Sequence, residues 1–209
     1  MSISISLDHL VWAVPDLDLA IKEIEIATGI KAIIGGSHPA HGTRNALISM
    51  GEGQYFEILA RDESLPAGEL AKFCQGLAKP NLVTWVVRTN NIPEVARRAE
   101  KAGYQTMVKE MSRLKPTGEK LEWQLLWLKG HSYGNYVPLI IDWQTSRHPS
   151  LDAPDGLKLI SFTIEAINPK PLEEIFSLLS IEVDLKASSQ NRLIASIESS
   201  KGKLELVGY

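Results

Sequence analysis

Apolar residues change their spacing along this chain in a regular way. Between residues 3 and 13, Ile3, Ile5, Leu7, His9, Val11 and Ala13 fall on every second position, the period of a strand with one buried face. After Asp16 the period becomes helical: Leu17, Ala20, Ile21 and Ile24 recur at i, i+3, i+4 and i+7, with Asp16 or Asp18 as N-cap and Gly29 as the stop. Three short extended runs follow, at 31–34, 43–50 and 54–59, the last two joined by the tight turn MGEG.

The same succession returns twice, in NLVTWVVRTNNIPEVARRAEKAG and in GLKLISFTIEAINPKPLEEIFSLLS. Leu17, Ala20, Ile21 and Ile24 correspond to Ile92, Val95, Ala96 and Ala99, and then to Leu172, Ile175, Phe176 and Leu179. Asn91 followed by Glu94 gives the second helix a capping-box-like start. Extended runs follow each helix again, at 105–110, 121–128 and 138–143, then at 181–186, 191–198 and 203–207. The chain therefore reads as an α+β protein of three βαβββ modules, over 1–61, 81–145 and 157–209, with a connector at 62–80 and a linker at 146–156. A doubly wound parallel sheet is the competing reading. It is disfavoured because each helix precedes three strands joined by short turns, and because no glycine-rich phosphate loop follows the first strand.

Composition narrows the function classes. With 209 residues, 44% hydrophobic and 22% charged, the chain can bury a core. The net charge of −3 and the lack of a long Lys/Arg run argue against nucleic acid as a partner. No segment reads as a membrane span or a signal peptide, and the single cysteine, Cys74, suits a reducing compartment, so a cytoplasmic protein is expected. Cys74 itself reads as a small buried hydrophobe, and Trp12, Trp85, Trp127 and Trp143 as packing between sheet and helix.

Polar residues that interrupt apolar strands carry the candidate chemistry. In the first module these are His9, inside the first strand, and Glu57, inside QYFEILA. The repeat places Thr84 and Ile164 at the His9 position, and Asp142 and Glu205 at the Glu57 position. An imidazole and a carboxylate on one concave surface can bind a divalent ion or act as an acid/base pair. The plainer alternative is a satisfied core histidine and a carboxylate paired with an arginine such as Arg44.

The segments LDHLVWAVPDLDLAIKEIEIATG and GGSHPAHGTRNALISMGEGQYFEILA resemble the glyoxalase-like branch of the vicinal oxygen chelate superfamily. MSRLKPTGEKLEWQLLW and VPLIIDWQ resemble the second half of the same domain, so that the resemblance covers about residues 5 to 148. It implies two βαβββ modules paired into a curved, mostly antiparallel, open barrel-like sheet around a cavity, with helices outside. It also implies a metal held from the first and last strands of each module. Carried onto this sequence, the ligand positions are His9, Glu57, Thr84 and Asp142. Threonine is a poor ligand for a divalent metal, which leaves His9, Glu57 and Asp142 as a facial triad suited to Fe, Mn, Ni or Zn, with Glu57 and Asp142 as catalytic candidates.

The loop SHPAHGTRNA is expected to overhang the cavity with His38, His41, Arg44 and Asn45, and the matching stretch of the second module supplies Arg113, Lys115 and Trp123. Arginines in two equivalent loops point to an anionic or strongly polar small ligand, unless they pair with Glu57 and Asp142. The residues that expect ligand contact are His38, Arg44, Asn45, Arg113 and Trp123. The leading expectation is a metal-dependent lyase, isomerase or dioxygenase acting on a small metabolite; the alternative is a metal-free protein that binds or sequesters one. The third module has no partner module, so it either covers the paired domain or meets its copy in a homodimer. His148, before Pro149, has no chemistry assigned to it.

Overall fold

A computed structural model describes residues 4–209; Ile3, expected on the first strand's face, lies outside the described residues. The first strand, β1 (Ser6–Ala13), leads into α1 (Leu17–Thr28), then β2 (Ile33–His38), β3 (Thr43–Gly51) and β4 (Gln54–Arg61). Asp16 accepts from the Leu19 amide at 3.0 Å, and Gly29 closes the helix in the left-handed conformation with its N–H on the Glu25 carbonyl. Leu17, Ala20, Ile21 and Ile24 form the buried stripe, as their spacing requires. After a short α2 (Glu69–Gln75), the second unit repeats the succession as β5 (Asn81–Arg88), α3 (Ile92–Lys101), β6 (Gln105–Leu114), β7 (Lys120–Lys129) and β8 (Leu139–Asp142). Asn91 Oδ1 accepts from the Glu94 amide at 3.2 Å, the expected cap.

These eight strands close into a barrel in the order β1-β4-β3-β2-β6-β7-β8-β5. Within each half the first and last strands run parallel, β1 beside β4 and β5 beside β8, and all the other pairings are antiparallel. The resemblance implied an open barrel; closure is achieved by one narrow seam, where Ser37 of β2 pairs with Leu114 of β6. Gly36 makes that seam possible. Its φ is +139°, and a Cβ there would stand 2.0 Å from the Leu114 carbonyl oxygen, so only glycine fits.

The third unit comprises β9 (Lys158–Ala166), α4 (Lys170–Leu179), β10 (Asp184–Ala187), β11 (Arg192–Ser199) and β12 (Gly202–Gly208). Its elements follow the same succession, but its sheet is ordered β10-β9-β11-β12. Here the first strand pairs with the second and third, whereas in the barrel units it pairs with the fourth. Its inner face packs on the outside of the barrel: Trp85 of β5 meets the rings of Phe162 and Phe176 at 5.2 and 5.8 Å. Ile164, Leu172, Leu179, Ala195, Ile197 and Leu206 join the same core as Leu10, Leu17 and Val95. A Cβ on Gly208 would stand 1.8 Å from the Leu82 carbonyl oxygen, so the end of β12 lies directly against β5. At the β11–β12 turn, Lys201 Nζ donates to the Ile26 carbonyl at 3.0 Å, a cation on the C-terminal end of α1. The third unit thus covers the paired units within the chain, and the apolar face that would have called for a second copy is already buried.

Candidate functional site

The barrel encloses a cavity of about 790 Å³, within the range of small-molecule sites. Its position follows from strand parity, which is interrupted on β1 near its start. Ile5 and Leu7 pack in the outer core, while His9, Val11 and Ala13 face inward. The pairing of β1 with β5 slips between Leu7 and His9, which makes Asp8 the extra residue of a β-bulge. The expectation that Leu7 and His9 share a face is therefore corrected: the bulge turns the strand over between them. Asp8, the bulged residue, is fully buried.

Around Asp8 the structure assembles a polar cluster. Its Oδ1 lies 2.6 Å from His9 Nδ1, and its Oδ2 accepts from Trp143 Nε1 at 3.1 Å and lies 2.9 Å from His148 Nε2. Arg88 Nη1 stands 3.8 Å from the same oxygen. Burial alone would raise the Asp8 pKa, but the hydrogen bonds from His148 and His9 outweigh it and hold the carboxyl well below its ordinary 3.8. Asp8 is therefore an ionised acceptor, which assigns the Nδ1 proton to His9. The ring of His9 stacks on Tyr55 with centroids 4.3 Å apart, and its Nε2 lies 3.4 Å from Glu57 Oε2. Asn45 Nδ2 donates to the other Glu57 oxygen at 2.6 Å. Burial, followed by the Asp8 and Glu57 charges, pushes the Tyr55 hydroxyl well above its usual 10.

Sequence alone gives no chemistry to His148, yet it is a partner of Asp8. It arrives because the 146–156 segment folds against the barrel, with a 3-10 turn at Pro149–Leu151 and the Ser49 amide on the Pro154 carbonyl. Its Nδ1 meets Ser150 Oγ at 2.7 Å. A local signal exists in the histidine of the SRHPS motif, but its partner lies 140 residues away.

The other expected residues divide. His38, Asn45, Arg113 and Trp123 line the cavity with His9 and Glu57, and His41 lies on it as well. Burial lowers the His38 pKa to about 4, against the opposing charge of Glu57, so it is a neutral ring hydrogen-bonding to Thr43 Oγ1 at 3.1 Å. Arg44, next to Asn45 on β3, takes the opposite face and pairs with Asp18 at 2.7 Å. Lys115 is engaged by Glu119 and Asp152. Trp12 and Trp85 pack in the outer core, but Trp127 and Trp143 line the cavity. Cys74 is buried in the inner cluster, and burial raises its thiol to about 11, so it is no nucleophile at neutral pH.

Asp142 does not reach the cavity. On β4, Glu57 lies across from Val11; on β8, the residue across from the corresponding Val86 is Leu139, which lines the cavity. Asp142 is an odd number of positions further on, hence on the other face, and accepts from the Gln144 amide at 2.8 Å. In the third unit Ile164 is core and Glu205 is exposed. The triad of His9, Glu57 and Asp142 is thus not assembled. Among the described residues, no group of three or more His, Cys, Asp or Glu side chains is arranged to hold a metal ion. The donor set does not fit the Fe, Mn, Ni or Zn centre that the resemblance implied.

A family model for the glyoxalase-like domain matches residues 7–179. The chain belongs to this family. The match passes the barrel and takes in β9 and α4, beyond the stretch to residue 148 that the sequence segments indicated. A hypothetical protein from Staphylococcus aureus superimposes with a TM-score of 0.66 at 15% identity, covering 98% of this chain and 85% of its own. Methylmalonyl-CoA epimerase from Mycobacterium tuberculosis gives 0.46 at 22% identity, over 65% of this chain and 84% of its own. The Streptomyces coelicolor epimerase, in complex with 2-nitronate-propionyl-CoA, gives 0.47 at 16% identity, over 67% and 96%. No curated protein matches the sequence. Among the described residues no helix is long and apolar enough to cross a membrane.

Proposed function

We propose that this glyoxalase-like chain takes a small polar or anionic metabolite into its barrel cavity and exchanges a proton with it through Glu57 and His9, with no metal ion bridging the two. The observation that carries the reading is the line Asp8, His9, Glu57. With Nδ1–H committed to an ionised Asp8, the Nε2 lone pair would face the Glu57 carboxylate at 3.4 Å, lone pair against lone pair. A proton between Nε2 and Oε2 relieves that repulsion, which makes the pair a place where a proton can be taken up and given at the cavity surface. Asn45 fixes the carboxylate and the stacked Tyr55 fixes the imidazole, which gives the pair the preset orientation that acid/base chemistry needs. Apolar walls, including Val11, Leu59, Val86 and Leu125, surround it.

The test is a metabolite screen by thermal shift, followed by incubation of each stabilising compound in D₂O and mass spectrometry of the recovered ligand. Deuterium incorporated at carbon by the native chain, and lost in Glu57→Gln with binding retained, is the expected result. Binding without incorporation would reduce the reading to a sequestering protein, and a screen without any cavity ligand would overturn it.

A further inference from the structure

Gly35, Asn45 and Arg113 meet where β2 borders β6. A Cβ on Gly35 would stand 2.4 Å from Asn45 Oδ1 and 2.9 Å from an Arg113 Nη1, so the two polar groups lie side by side against bare backbone. Both residues line the cavity, and both are buried, Asn45 at 1% and Arg113 at 3% exposure. The Asn45 amide cannot be turned over, because its nitrogen donates to Glu57 Oε1 and the flipped form would set oxygen against oxygen. Its Oδ1 is then an acceptor, and it has no partner; neither does Arg113 Nε. Among the described residues no carboxylate forms an ion pair with Arg113. A buried cation without a counter-charge is costly, and so is a buried acceptor without a donor.

We infer that the cavity is built for a zwitterion: an α-amino acid with an apolar or aromatic side chain. The inference rests on the proposed reading that the ligand occupies this cavity. The carboxylate answers the open guanidinium fork of Arg113. The ammonium answers Asn45 Oδ1 and Glu57, whose carboxylate has lone pairs beyond those facing Asn45 and His9. A bare carboxylate would satisfy Arg113 but would leave Asn45 Oδ1 unpaired and would sit near the Glu57 charge. An α-hydroxy acid supplies one neutral donor where the site offers a neutral and an anionic acceptor. A zwitterion brings one charge of each sign to one charge of each sign, so little net charge is buried. Trp123 and Trp143, with ring centroids 5.2 Å apart, and the aliphatic wall of Val11, Leu59 and Val86 accommodate the side chain.

Calorimetric titration of the full chain with the twenty L-amino acids tests this, followed by matched analogues of those that bind; for phenylalanine these are phenyllactate, 3-phenylpropanoate and phenethylamine. At least one apolar or aromatic amino acid should bind on the order of tenfold or more tightly than its hydroxy, deamino and decarboxylated analogues. Arg113→Met should abolish the preference over the amine, and Asn45→Ala should narrow the preference over the deamino acid. Arg113→Lys, with the charge kept, serves where the methionine variant does not fold. If the hydroxy or deamino acids bind as tightly as the amino acid, the zwitterion is wrong and the cavity reading survives. If no amino acid binds while the metabolite screen yields another cavity ligand, the zwitterion alone falls; if the screen yields none, both fall.

Discussion

Replacing Asp8 by asparagine removes one charge from the bulge and little volume, and the structure sets the size of the effect. The carboxylate accepts from His9 at 2.6 Å, His148 at 2.9 Å and Trp143 at 3.1 Å, all without contact with solvent. Asparagine keeps the Trp143 bond through its oxygen. It must present its NH₂ to one imidazole and a neutral oxygen to the other and to Trp143, so three charge-assisted bonds become neutral ones. At about 1–1.5 kcal/mol lost for each, the cost is about 3–4.5 kcal/mol. Urea denaturation at pH 7 should show this as a lower midpoint with an unchanged slope. The pH dependence adds a second check. Because the folded-state pKa of Asp8 is depressed, its contribution is fully present above the ordinary value of 3.8 and is lost as pH falls through the depressed folded value. The gap between native and variant should close on acidification below 3.8. A loss under about 0.5 kcal/mol at pH 7, or a gap that widens in acid, would refute the role given to Asp8.

Two further outcomes follow from side chains on either side of the barrel wall. Gly208→Val should lower Tm by several degrees, because a Cβ 1.8 Å from the Leu82 carbonyl forces β12 off β5 at about 1–3 kcal/mol; an unchanged Tm would mean that the third unit does not dock through this contact. Arg44→Ala and Asp142→Asn should each leave ligand binding intact and change stability by at most about 1 kcal/mol, and dialysis against EDTA should change neither Tm nor ligand binding. Loss of binding in the Asp142 variant together with sensitivity to EDTA would restore the three-ligand metal site.

What the sequence disclosed and what it concealed separate along one physical line. The helices were legible because a 3.6-residue stripe is fixed by neighbours in sequence, helped by an Asx cap on α1 and α3 and a left-handed glycine stop on α1; the three stripes are buried, apart from the half-buried Ala96. Strand faces were legible only where the count was unbroken. At Asp8 one extra residue turned the strand over, leaving His9 inward as expected but for a different reason, and adding a buried carboxylate that alternation had assigned to neither face. At Asp142 the reverse occurred: the longer β7–β8 loop hid the register, and an odd displacement from Leu139 put the carboxylate on the far face, away from the cavity that His9, Glu57, Asn45 and Arg113 line. The His148–Asp8 contact and the strand order of the third unit are set by pairings between distant segments, for which periodicity carries no signal. The residue that alternation passed over, Asp8, hydrogen-bonds the histidine that alternation found. A cavity lined from a bulged strand is thus read from sequence in the polar groups that face it and missed in the buried carboxylate bonded behind them.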